Sequence, residues 1–178
     1  FSINHFNEIN HRNNLIKIVK EEILNMDKTV KAFNIGSNAG NSNQGFNSVA
    51  IGTDCASINQ RTGVIAIGNQ AGQATQGTNA IAIGATAGQN SQQSGAIAIG
   101  YQSGYTGSGD KNVFIGYQAG YSESGSNLLY IDNSNTSSPL VYGNFSTNSI
   151  QINGTLTTTG KAFFDASISC VSLFEASD

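Results

Sequence analysis

The chain has 178 residues, among them 21 Gly, 22 Asn, 21 Ser, a single Pro and no Trp, and only 11% are charged, against about 25% in an ordinary globular domain. With 38% hydrophobic residues and a formal charge of −3, it lacks the low hydrophobicity and high charge of a disordered chain. The single Pro excludes collagen, and no apolar run approaches the ~20 residues of a membrane-spanning helix.

The charges are unevenly placed. Residues 1–33 hold nine (Glu8, Arg12, Lys17, Lys20, Glu21, Glu22, Asp27, Lys28 and Lys31), whereas 34–131 hold five: Asp54, Arg61, Asp110, Lys111 and Glu123. Two basic residues in that long stretch cannot form the stripe that neutralises phosphates, so nucleic-acid binding is excluded. The chain opens at Phe1 with Met26 as its one methionine and has no signal-peptide pattern, which reads as a processed chain or a fragment. Cys55 and Cys170 lie far apart without CxxC spacing. They provide neither a disulfide framework nor a zinc site and read as small buried thiols.

The first element, over 1–32, reads as a helix. Ile9, Ile16, Ile23 and Val30 recur every seven residues, with Val19, Met26 and Phe33 three further on. This is an a/d heptad seam, weakened where Arg12 takes the first d position. β-branched residues at a without Leu at d leave a trimer open. The alternative is an amphipathic helix packed on its own domain.

From 33 to 132 the sequence repeats. Ile-Gly pairs end at Gly36, Gly52, Gly68, Gly84, Gly100 and Gly116, a constant 16-residue spacing that stops where Asp132 follows Ile131. Two positions before each Ile stands Phe33, Val49, Ile65, Ile81, Ile97, Val113 and Leu129, with Asn34, four alanines, Phe114 and Tyr130 between. Three after each Gly stands a small residue, and Cys55 occupies one of those slots. In an extended segment such as Ile81-Ala82-Ile83 the two Ile side chains share one face and Ala82 takes the other. The expectation is that the Ile face fills the interior and the Ala face admits a neighbouring backbone. Sixteen residues are too few for a βαβ crossover. They suffice for one turn of a parallel β-solenoid, and six or seven turns at ~4.8 Å give a rod of roughly 30 Å. So thin a coil implies lateral association.

These residues resemble a known family. Ala80-Ile81-Ala82-Ile83-Gly84-Ala85-Thr86-Ala87-Gly88 and its register mates look like the YadA-like head repeats of trimeric autotransporter adhesins. The later coils, Asn112-Val113-Phe114-Ile115-Gly116-Tyr117-Gln118-Ala119-Gly120-Tyr121, look like the variant found in bacterial and viral tail-fibre-domain proteins. The resemblance covers roughly 33–160 and implies a homotrimer of left-handed parallel β-rolls on a cell or virion surface. The departures are Asn34, Ala56 for Gly, and bulky Phe114 and Tyr130 where Ala is usual. If the Ala face met neighbouring subunits, the trimer would be wider near its C-terminal end.

Residues 133–178 leave the 16-residue phase and read as a β-rich neck or stalk. Short strands are expected at Pro139–Tyr142 and Ser149–Leu156, and 162–174 alternates in part, with Phe164, Ala166, Ile168 and Cys170 on one face. The closing Ser177-Asp178 pair resembles the opening of the self-cleaving chaperone domain found in tail-fibre relatives.

No catalytic, cofactor or metal set emerges. Asp54 and Asp110 fall at different repeat phases, so they form no glycosidase carboxylate pair, which argues against a carbohydrate-degrading tailspike. Both histidines, His5 and His11, lie at the N-terminal end. Thr53, Thr62, Thr75, Thr86 and Thr106 share no register, which removes an ice-binding face. Three sequons, at Asn135, Asn144 and Asn153, matter only in a eukaryotic secretory setting. Two tyrosine ladders are in phase, Tyr101 with Tyr117 and Tyr105 with Tyr121, and Gln70, Gln102 and Gln118 share another phase. They read either as stacking that stiffens the coil or as a face for a glycan or protein receptor. The function expected is a trimeric fibre or adhesin segment, extracellular, non-enzymatic and not inserted in a membrane. The alternative is a shaft that binds nothing.

Overall fold

The computed structural model describes residues 32–161, and these form an all-β chain with no helix. The heptad segment before Ala32 and the alternating segment from 162 onward lie outside the described residues. Phe33, which also fitted the last d position, belongs to a strand and pairs with Val49.

Nine strands make one sheet in chain order. They are β1 (Phe33–Ile35), β2 (Val49–Ile51), β3 (Ile65–Ile67), β4 (Ile81–Ile83), β5 (Ile97–Ile99), β6 (Val113–Ile115), β7 (Leu128–Ile131), β8 (Val141–Asn144) and β9 (Ser149–Ile152). From β1 to β7 every pairing is parallel and joins each residue to its counterpart one repeat on, such as Ala82 to Ala98. This is a β-solenoid of about six 16-residue turns. The opposite wall is tied by the same rule, with Gly72 N donating to Ala87 O at 2.8 Å and Gly88 N to Ser103 O at 2.9 Å. β8 then returns antiparallel on β7, and β9 on β8. These two strands fall within or beside the expected short segments, β8 ending two residues later and β9 stopping at Ile152.

The faces of the strands are the reverse of those expected. Ala50, Ala66, Ala82, Ala98, Phe114 and Tyr130 point into the coil and are buried, as are Ser48, Val64, Ala80, Ala96, Asn112 and Leu128 just before them. The flanking Val and Ile residues face outward, and Ile99 and Ile115 are 37% exposed. The reason is the width of the coil. Cys55 Sγ reaches the Ala66 carbonyl of the strand wall at 3.0 Å, and Ser103 Oγ reaches that of Phe114 at 3.0 Å. Walls that close leave room for a methyl group, not for two Ile side chains per turn. The premise of a trimer widened by Phe114 and Tyr130 falls with this, because both rings are interior.

Corners are made where L-residues are normally uncomfortable. The Gly36 to Gly116 column holds φ between +123° and +134°. Two residues later, Asn38, Asp54, Gln70, Thr86, Gln102 and Gln118 all lie at φ of +52° to +55°, a left-handed conformation that β-branched Thr86 adopts only at a cost. A further column at Asn47, Gly63, Asn79, Gly95, Lys111 and Asn127 is also left-handed, and three of its six members are Asn, which tolerates that conformation. Ala56, the one departure from Gly in its column, takes φ +49°.

Candidate functional site

The tyrosine ladders form as stacks. Tyr101 and Tyr117 follow the corner glycines Gly100 and Gly116, stand 45% and 46% exposed, and stack with ring centroids 5.3 Å apart. Tyr105 and Tyr121 are half-buried and stack at 4.8 Å with planes 8° apart. Parallel in-register strands cause this directly, since identical side chains one repeat apart are separated by about one strand spacing. Between the stacks runs an amide pair in which Gln118 Nε2 donates to Gln102 Oε1 at 2.7 Å. Gln70 does not join it: Thr86 stands in the intervening turn, and Gln70 Oε1 instead accepts from Gln89 Nε2 at 3.3 Å. Tyr101, Tyr105, Tyr117, Tyr121, Gln102 and Gln118 are thus all part-exposed on consecutive turns, with the rings paired within columns.

A second register was not read from the sequence. Gln44, Gln60, Gln76, Gln92 and Ser108 recur every 16 residues and, from Gln60 on, project into the coil and are buried. Gln76 Nε2 donates to Gln92 Oε1 at 3.0 Å, and Gln92 Nε2 donates to the carbonyls of Ile81 and Ala96, each at 2.9 Å. The spacing was visible, but a Gln is ordinarily assigned to the surface. Here it occupies the space over a corner Gly: a Cβ on Gly88 would lie 2.5 Å from Gln92 Oε1.

Toward the C-terminal end the filling changes. Ser108 replaces Gln, and Phe114 replaces Ala, its ring edge 3.1 Å from where a Gly104 Cβ would stand. The volume lost at one register position returns at the other. Phe114 meets Tyr130 edge-to-face at 5.4 Å, and Tyr130 meets Tyr142 at 5.5 Å. The Tyr130 hydroxyl donates to Glu123 Oε2 at 2.8 Å. Burial, then this hydrogen bond and the Glu123 charge, hold Tyr130 protonated beyond the usual tyrosine range.

Cys55 is buried in its small-residue slot, and burial pushes its thiol from about 9 up to about 11. In a Cys170→Ser background, Ellman's reagent at pH 8 is expected to leave Cys55 unmodified until denaturant is added; rapid labelling of the folded chain would count against this environment. The unfolded chain loses the proton near pH 9 and the folded chain near pH 11, so the unfolded form binds fewer protons in that window. Stability should therefore fall as pH rises from 9 to 11, and Cys55→Ala should flatten that part of the profile.

Among the described residues no three His, Cys, Asp or Glu side chains gather as a metal site, and no helix is long and apolar enough to cross a membrane. Compared with family models, curated protein sequences and solved structures, the chain gives no match.

Proposed function

We propose that the chain is a structural segment of a trimeric fibre or adhesin, in which three left-handed rolls pack side by side and display identical outer faces to a host or target surface. The observation that carries the reading is the apolar outer face of the sheet. Val49, Ile65, Ile81, Ile97, Val113 and Leu129 form one outward column, and Ile51, Ile67, Ile83, Ile99, Ile115 and Ile131 form a second beside it. A continuous apolar strip of this kind marks an interaction surface. A second and a third copy of the same roll supply a strip of equal length and pitch; the family resemblance favours three, and the heptad seam leaves a trimer open. Three receptor faces on one rod turn weak contacts into avidity. The tyrosine stacks, part-exposed on consecutive turns, are the surface we assign to the target.

The mass of the full chain in solution tests the assembly. Three times 18.6 kDa is expected, with Ile67→Lys plus Ile83→Lys reducing it to a single chain, because lysines in the strip would bury unpaired charge. A monomeric wild type sinks the trimer. A trimer that binds no cell surface supports a shaft with no receptor of its own.

A further inference from the structure

Beside β7 lies a cavity of about 140 Å³ lined chiefly by Tyr121, Glu123, Tyr130, Asn135, Thr136 and Ser137. It exists because the repeat stops. Every earlier turn is covered by the next one, but after Asp132 the chain leaves the 16-residue path and returns as antiparallel β8. The position one repeat beyond Tyr121 is Ser137, so no third ring continues the Tyr105–Tyr121 stack. Tyr105 stacks on one face of the Tyr121 ring, and Tyr121 is among the residues that line the cavity.

The polar groups are fixed in place. Glu123 Oε1 accepts from the Gly125 N–H at 2.9 Å and Oε2 from the Tyr130 hydroxyl at 2.8 Å, so the carboxylate is held while each oxygen keeps a free lone pair. Thr136 Oγ1 accepts from Ser138 N at 3.1 Å, which leaves its own hydrogen to donate. Asn135 and Ser137 are exposed at the rim. No Lys, Arg or His lines the cavity, so an anionic ligand would meet the Glu123 charge unpaired. A simple cation would leave the Asn135–Ser137 donors unused. An aromatic ring beside a fixed acceptor and several donors suits a molecule with one apolar face and a belt of hydroxyls. The volume is well below the ~300 Å³ lower end of drug-sized pockets, which limits the occupant to one ring.

We infer that this cavity binds one uncharged pyranose unit of a surface glycan, its C–H face on Tyr121 and its hydroxyls on Glu123 and the Asn135–Ser137 segment. The inference rests on the attachment reading above and names its ligand class. The test uses the full chain on immobilised glycans ending in glucose, galactose, mannose or sialic acid, with binding to whole cells measured in parallel. Binding to a neutral terminus and not to sialic acid is expected. Tyr121→Ala and Glu123→Gln should each weaken it by ~10-fold or more, the loss of about one good contact. Ser137→Phe, which fills the cavity against Tyr121 while leaving the Tyr105–Tyr121 pair in place, should abolish it, and Thr62→Ala, at an exposed position on a distant turn, should leave it unchanged. Thermal melts of each variant separate loss of binding from loss of fold. Preference for the sialylated glycan, or glycan binding that survives Ser137→Phe in a folded chain, overturns the cavity assignment. Cell binding that persists without any glycan binding also overturns it while leaving the attachment reading standing. Failure on both cells and glycans removes both.

Discussion

Phe114→Ala is expected to destabilise the fold by about 3–5 kcal/mol, the usual cost of truncating a buried aromatic side chain. For a chain of this size that corresponds to a fall in Tm of roughly 6–20 °C. The ring is fully buried, packs edge-to-face on Tyr130 and lies over Gly104 and Gly120. What makes the prediction specific is its rescue. One turn earlier the same region is filled by Gln92 with Ala98, where this turn has Ser108 with Phe114. Ser108→Gln added to Phe114→Ala rebuilds the earlier turn's filling and should recover a substantial part of the loss, a coupling visible in a double-mutant cycle. Among the described residues the buried Ser108 hydroxyl has no hydrogen-bond partner, so its replacement sacrifices no side-chain hydrogen bond. A double variant no more stable than Phe114→Ala would show that the two positions do not share one space.

Gly84→Ala should be as damaging, for a backbone reason. Gly84 sits at φ +126°, and a Cβ there would lie 2.6 Å from the Gly100 carbonyl oxygen of the next turn. Neither problem can be relieved by a side-chain rotation, because the obstacle is main chain on the adjoining coil. Backbone strain and overpacking are each worth about 1–3 kcal/mol, so a combined loss of ~3 kcal/mol or more is expected. Gly95→Ala is the control: at φ +67° its nearest obstacle is Lys111 Cγ at 3.5 Å, a flexible side chain at ordinary contact distance. Its cost should stay near 1 kcal/mol. Denaturant unfolding of the two variants side by side measures the difference, and equal losses would refute the close-approach explanation.

The period, the strand positions and the end of the array at Asp132 were all legible in the sequence, because in-register parallel pairing forces equal spacing on every turn. The facing was not. Period two places Ile83 opposite Ala82 but does not say which is inside. In most strands polar residues settle the matter, whereas here both faces are apolar. The deciding quantity is the distance between walls, set by corners whose tightness depends on left-handed residues such as Gln70 and Thr86 that carry no obvious turn signal. The tyrosine pairs were legible for the same reason as the strands. Glu123, Tyr130 and the Asn135–Ser137 segment were not, since they meet only after the chain has left the repeat.

The hydrogen-bond rule that joins each residue to its counterpart 16 positions away makes rod length a quantity that changes in whole steps. Deleting or duplicating 16 residues within β3–β5 would restore the backbone pairing on both sides and shift the far end by about one strand spacing. The Gln92–Ser108 and Ala98–Phe114 exchange limits where this can be done. Upstream of it, units are interchangeable; across it, a copied unit would bring the wrong filling. A gene of this design can adjust its reach like a ruler cut between marks, while the far tip, with β8, β9 and the cavity beside them, is carried along unchanged.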